Sequence, residues 1–349
     1  MMDIKKITRK NILNLLPYFS ARNEYSGYNG ILLDANENSF GSVVEGEFHR
    51  YPDPLQRELK TKIASQKNVS PEQIFLGNGS DEAIDLLIRA FCEPGEDELM
   101  IFPPTYGMYK VCAEINNVPV REVNLNPDFT LAMDDILYNI NAKIKMVLFC
   151  SPNNPTGNLI VNEATIRNLS DQNRLLVVDE AYIDFADSKG LLNLIPYFEN
   201  LIILQTFSKS WGLAGVRMGI AFGHPEIINV MNKIKHPYNI NSLTQIKTLE
   251  ALKNPDIKQK NIDKLLVQRS YLSKALGGFE FIEQVFPSQA NFLLVRFRDS
   301  QSVFRYLIEQ NIIVRDRSRA VHCENCLRIT VGTASENEIL LNSLKKFEG

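Results

Sequence analysis

The chain has 349 residues and a formal net charge of −3, long enough for two packed domains and too near neutral for a nucleic-acid or membrane-surface partner. No apolar stretch approaches the roughly 20 residues of a membrane span, and Met1 to Arg9 is mixed and polar, without the apolar core of a secretion signal. The five cysteines, Cys92, Cys112, Cys150, Cys323 and Cys326, have no framework spacing, as expected for a cytoplasmic protein in a reducing compartment.

Apolar runs of strand length alternate with helical patterns. In chain order, Pro54 to Gln66 and Ser80 to Phe91 read as helices, Leu99 to Phe102 as a buried strand, and Tyr106 to Asn116 as a helix. Met146 to Cys150 reads as a strand and Glu163 to Ser170 as a helix. Leu175 to Val178, Leu201 to Leu204 and Met218 to Phe222 are further strands before a helix at Pro225 to Lys235. This alternation predicts an α/β fold, a mostly parallel central sheet with helices on both faces, with ligands at the carboxyl ends of its strands. A long helix, Asp256 to Leu276, ends at Gly277-Gly278 and leads out of that domain. Strands at Asn291 to Phe297 and Cys326 to Val331, with helices at Gln301 to Asn311 and Ser335 to Lys346, predict a smaller α+β domain. The expected organisation is a large domain over 42–255 and a second unit formed by an N-terminal arm, 1–41, with 256–349.

Three segments carry chemistry: Ser151 to Gly157 (SPNNPTG), Val177 to Tyr182 (VVDEAY) and Thr206 to Gly219 (TFSKSWGLAGVRMG). Together they supply an amine, a carboxylate, a phenol, an amide and a guanidinium near strand ends and glycine-rich turns. That is the set needed to hold pyridoxal 5'-phosphate. Its aldehyde needs a lysine amine, for which Lys209 is the candidate. Its pyridine nitrogen stays protonated beside a buried carboxylate, and Asp179 follows an apolar run. Asn154 and Tyr182 are donors for the ring's phenolic oxygen, while Ser208 and Arg217 flank the lysine as phosphate partners. Singly, a lysine between serines reads as a solvated loop residue and an Asp-Glu pair as a turn cap; the ordered set displaces those readings. Gly77 to Asp81 reads as a turn whose following helix offers free backbone N–H groups to an anion, through Ser80 and the backbone N–H of Asp81. Tyr106, just after a strand, is placed to stack on the pyridine ring. His322, Cys323 and Cys326 are too few for a structural zinc and read as a surface turn.

The ordered segments resemble those of fold-type I pyridoxal-phosphate enzymes, the aspartate aminotransferase superfamily. Further stretches, Leu16 to Tyr18, Leu33 to Asn38, Arg50 to Pro54, Ile313 to Arg317 and Cys326 to Gly332, resemble histidinol-phosphate aminotransferases. The resemblance implies transamination of histidinol phosphate with 2-oxoglutarate in histidine biosynthesis, with Lys209, Asp179 and Tyr182 as catalytic residues. It also implies a homodimer in which Tyr51 is lent to the partner's cofactor site, and substrate contacts from Tyr18, Asn36, Arg315 and Arg328. Read by themselves, Arg315 and Arg328 converge from neighbouring elements and suit a phosphate or carboxylate, or else pair with surface acids, as Arg317 and Arg319 are expected to. A threonine-phosphate decarboxylase and an aromatic amino-acid aminotransferase remain as alternatives on the same fold.

Overall fold

The structure is a computed structural model that describes residues 3–18, 30–171 and 173–347. Seven strands among these residues form one sheet in the order β1-β7-β6-β5-β4-β2-β3. They are β1 (Ile74–Asn78), β2 (Glu98–Ile101), β3 (Val120–Glu122), β4 (Ile144–Cys150), β5 (Leu175–Asp179), β6 (Leu201–Thr206) and β7 (Met218–Phe222). Strands β3, β2, β4, β5 and β6 run parallel, while β7 is antiparallel to both β6 and β1. The expected mostly parallel sheet is present, with one reversed strand inside it.

The central strands are apolar on both faces because both faces are covered. Val147 and Phe149 of β4, Leu176 and Val178 of β5, and Leu201 and Ile203 of β6 belong to one hydrophobic layer. Their chain neighbours Met146, Leu148, Leu175, Val177, Ile202 and Leu204 belong to the other. This two-residue alternation fixes which way each side chain at a strand end must point. In the helix Gly79–Phe91, the stripe Ala83, Ile84, Leu87, Ile88 and Phe91 is buried in the second layer.

Several elements went unread in the sequence, β3, the strands Ile282–Val285 and Arg315–Asp316 and the helix Met133–Asn139 among them, and two more show why. Gly77 and Asn78, expected in a turn, close strand β1, and Gly79 opens the helix directly. The helix Ser242–Ala251 buries only Thr244 and Thr248, so it lacks the apolar stripe that marks a helix.

A second sheet of four antiparallel strands, in the order β10-β11-β9-β8, follows the long helix Pro255–Leu276. It comprises β8 (Ile282–Val285), β9 (Phe292–Phe297), β10 (Arg315–Asp316) and β11 (Cys326–Thr330). One face, with Leu293, Val295, Phe297, Leu327 and Ile329, packs with Leu272 and Leu276 and with the helices Ser300–Glu309 and Ala334–Leu344. The other face carries Leu294 and Cys326 into the layer shared with the large sheet. Cys323 and Cys326 are therefore buried in the core, which corrects the expected surface turn: the backbone turns there, but the thiols point inward. Within the expected arm 1–41, residues 1–2 and 19–29 lie outside the described residues. Ile4 and Ile7 are buried in the layer that holds Phe91, and Arg9 bonds Arg89 O at 2.8 Å and pairs with Glu93 at 3.3 Å.

Gly219 is the tightest backbone approach bearing on the site. It lies opposite Gly77 on β1 and Thr206 on β6, and an added Cβ would fall inside van der Waals distance of Gly79 C and Ser80 N. Neither backbone atom can swing aside as a side chain could. Gly219→Ala is expected to lower stability by roughly 1–3 kcal/mol, read from urea unfolding. Gly215→Ala, whose added Cβ meets nothing within 4 Å, should stay within about 0.5 kcal/mol of the parent. Equal losses would show that the close approach is not the cause.

Candidate active site

Three parallel strands end side by side, β4 at Cys150, β5 at Asp179 and β6 at Thr206, and the chain beyond them lines one cavity. Ser80, Asp81, Tyr106, Asn154, Asp179, Tyr182, Ser208, Lys209 and Arg217 all face it, with Gly79, Cys150, Ala181, Thr206 and Ala214. The structure thus brings together residues read from five separate stretches of sequence.

Asp179 lies at the floor, 3% exposed. Its oxygens accept from Tyr109 Oη at 2.8 Å and from the Ala181 N–H at 3.0 Å. Burial pushes its carboxyl up to about 6 against these two bonds, and among the described residues no cation pairs with it within salt-bridge distance. Tyr109 was missed in the sequence; its only signal is a position one helical turn after Tyr106, which it meets edge-on at 5.4 Å.

Lys209 sits after β6 with its Nζ 5.5 Å from the centroid of the Tyr182 ring. Burial, reinforced by the charge of Arg328, moves the lysine below its ordinary value, partly offset by Asp179. Tyr182 is itself buried edge-on against Phe292 at 5.1 Å. Thr206, which opens the lysine segment but was given no role there, ties the lysine loop to β7: its Oγ1 accepts from the Ser208 N–H at 3.1 Å and donates to Met218 O at 3.2 Å.

At the far end, the Gly79 N–H donates to Arg217 O at 2.7 Å. Arg217 adopts a left-handed φ of 61°, uncommon for a side chain of its size. The Arg217 guanidinium lies 3.6 Å from Asp81, which also accepts from Tyr106 Oη at 3.2 Å. The Asp81 side chain therefore faces the cavity, where its charge is opposed by Arg217; the sequence reading used only its backbone.

On the opposite rim, Arg328 Nη1 donates to Asn154 Oδ1 at 2.5 Å and lies 5.2 Å over the Phe292 ring. Its Nε is buried without a partner. Arg315 stands directly opposite Arg328 in the β10–β11 register, so both side chains leave the same face of the small sheet. Tyr51 and Asn36 are not at this cavity. They line another one with Phe48, Tyr238, Asn241 and Leu243, where Tyr51 stacks on Tyr238 at 4.4 Å. Tyr18 is exposed.

This donor set suits one cofactor. A buried carboxylate lacking a cation matches a protonated ring nitrogen, an amine stands within the same cavity, and a helix N-terminus with a guanidinium matches a phosphate. A family model for class I and II aminotransferases matches residues 22–344, and the chain belongs to that family of pyridoxal-phosphate enzymes. It is 52% identical over 345 residues to the histidinol-phosphate aminotransferase of Cytophaga hutchinsonii, covering 99% of each chain, which places it among the histidinol-phosphate aminotransferases. Two solved structures share its fold. The histidinol-phosphate aminotransferase of Clostridium acetobutylicum superposes with a TM-score of 0.79 at 24% identity, over 85% of this chain and 90% of that one. That of Sinorhizobium meliloti, in complex with pyridoxal-5'-phosphate, gives 0.79 at 22% identity, over 89% and 88%.

The raised Asp179 has a consequence for the cofactor-free protein. The folded carboxyl holds its proton more tightly than the unfolded one, so its contribution to stability is full below about pH 4 and is lost as the pH rises through about 6. Cofactor-free Asp179→Asn, which cannot ionise, should match the parent within about 1 kcal/mol below about pH 4 and exceed it by roughly 1–3 kcal/mol near pH 8. Urea unfolding across that range checks it; parallel pH profiles would contradict the shift.

Proposed function

We propose that the enzyme transfers the amino group of L-histidinol phosphate to 2-oxoglutarate, giving imidazole acetol phosphate and glutamate, in histidine biosynthesis. The observation that carries this reading is the pair of guanidiniums, Arg328 and Arg315, on one face beside the Lys209 cavity, in a chain with a full-length relative of that name.

When bound, pyridoxal phosphate supplies the electron sink that makes the substrate's α-proton acidic. Lys209 would be the covalent anchor, and its amine, once freed, would take the α-proton and deliver it to the carbon of the cofactor's former aldehyde, two atoms along. Its lowered proton affinity enlarges the neutral fraction that such a base requires. Asp179 holds the proton on the ring nitrogen. Asn154 has its Oδ1 occupied by Arg328, which leaves its amide N–H groups to donate to the ring oxygen beside the Tyr182 hydroxyl. Tyr106 covers the ring. Ser80, the Asp81 N–H, Ser208 and Arg217 would cradle the cofactor's phosphate, which would compete with Asp81 for Arg217. Tyr18, Asn36, Arg315 and Arg328 contact substrate.

The reading includes a homodimer that lends Tyr51 across its interface. Ile31, Leu33, Phe40 and Val43 are 81–102% exposed on one chain, apolar surface that a second copy would cover. It also includes a cytoplasmic location, supported by five free, buried cysteines, and a division into a cofactor-binding domain over 42–255 and a second unit from 1–41 and 256–349.

Single-turnover spectra test the substrate assignment. Arg315→Ala should slow the histidinol-phosphate half-reaction about 30-fold or more, from roughly 2–5 kcal/mol for a lost charge-assisted contact, while changing the glutamate half-reaction far less. Arg328→Ala should damage both. Equal small losses for Arg315→Ala would return it to a surface role and favour an aromatic aminotransferase, and carbon dioxide release from threonine phosphate would favour the decarboxylase.

Mixing wild type with a Tyr51→Ala, Lys209→Ala double variant tests the shared site. Every wild-type Lys209 in a heterodimer would face a partner lacking Tyr51, so activity per wild-type chain should fall. Unchanged activity would mean that each chain uses its own tyrosine.

A further inference from the structure

Arg317 does not fit the surface ion pair that its setting in Arg315-Asp316-Arg317-Ser318-Arg319 suggests. Its N–H donates to Cys326 O at 2.9 Å, continuing the β10–β11 pairing by one residue, so alternation turns Arg315 and Arg317 to the face that carries Arg328. Asp316 points the other way, where its oxygens accept from Gln301 Nε2 at 2.9 Å and the Ser318 N–H at 2.8 Å. Burial, and then the charges of Arg328 and Arg315, hold Arg317 below its ordinary value, with Cys323 and Tyr182 acting the other way. Its Nε is buried without an acceptor, as is that of Arg328. Among the described residues, no carboxylate lies within salt-bridge distance of Arg315, Arg317 or Arg328.

Three guanidiniums turned to one face, two with orphaned buried donors, repel one another and leave N–H groups unmet. An anion arriving from outside the chain resolves both problems. A carboxylate offers two oxygens, whereas a phosphate monoester offers three beyond its ester link and carries up to two charges. We propose that Arg317 is a third phosphate contact and a specificity determinant, one that selects the dianionic phosphate monoester over a carboxylate substrate. This inference rests on the histidinol-phosphate reading above and adds to it a residue that neither half of the pair Arg315 and Arg328 replaces.

The test uses the holoenzyme with Arg317→Gln, which keeps an N–H donor but loses the charge and the fork, and Arg317→Lys, which keeps the charge. For histidinol phosphate, kcat/KM should fall about 10- to 100-fold in Arg317→Gln, mostly through KM, and recover in part in Arg317→Lys. The glutamate half-reaction should stay within about twofold. In wild type, kcat/KM should climb as the substrate phosphate loses its second proton near pH 6, and this climb should flatten in Arg317→Gln. Equal losses with both substrates, or no loss with histidinol phosphate, would overturn the assignment. If Arg317→Gln does not fold, Arg317→Lys carries the same comparison, with a smaller loss for the phosphate substrate alone as the supporting result. If wild type fails to turn over histidinol phosphate, the functional reading falls separately. Inhibition of the glutamate half-reaction by inorganic phosphate then decides Arg317: tenfold weaker inhibition in Arg317→Gln supports the contact, and unchanged inhibition removes it.

Discussion

A carboxylate buried at the end of a strand without a cation beside it is expensive to fold around, and Asp179 is held in that state. Tyr109 and the Ala181 N–H orient it but cannot neutralise it, so its proton affinity stays high. Under the proposed function, a positively charged ring nitrogen would be the partner that completes it. Much of the neighbourhood follows from keeping this group dry and aimed. Cys150 lies beside it in the β4–β5 register, Tyr109 closes it from the helix Met108–Ile115, and the two hydrophobic layers seal the sheet above and below.

The reversed strand β7 has a positional consequence. It returns the chain from the Lys209 loop alongside β6 and then sits against β1, bringing Arg217 next to the start of the helix Gly79–Phe91. Ends that are distant in sequence therefore meet across a gap that only a glycine at 219 permits. The long helix Pro255–Leu276 adds a brace. Its Lys258 pairs with Asp184 at 2.8 Å and lies 4.9 Å from the Trp211 ring centroid, while Asp184 also bonds Ser210. The segments just after Tyr182 and Lys209 are thereby pinned to the element that leads to the second sheet.

Legibility in the sequence tracked how local the signal was. Leu175 to Val178 announced both a buried strand and the acid at its end, because an apolar run closed by a carboxylate is a one-dimensional pattern. Strand β1 was hidden by Gly77 and Asn78, which look like turn residues until β7 pairs with them. Tyr109 looks like any helical tyrosine; only packing places its hydroxyl on Asp179. Cys323 and Cys326 stand among His322, Glu324 and Asn325, a polar setting that masks thiols turned inward by the sheet. Arg315, Arg317 and Arg319 are indistinguishable as letters; only in the fold is Arg317 part-buried while Arg315 and Arg319 stay exposed. Tyr51, assigned through a resemblance, lies with Tyr238 in another cavity, where one chain alone does not bring it to Lys209.

The link between Arg328 and Asn154 bears on how this scaffold can diversify. One amide spans the group that would meet an incoming anion and the cavity where the reaction is tuned. Altering the arginine to suit a new side chain would also release the amide, so a change of diet would carry a change of electronics. Arg315 and Arg317 make no such bond to Asn154 among the described residues. If these two arginines, on and just past the outer strand, meet substrate as proposed, new preferences can arise by drift there while the inner arginine stays fixed, separating what the enzyme accepts from how it reacts.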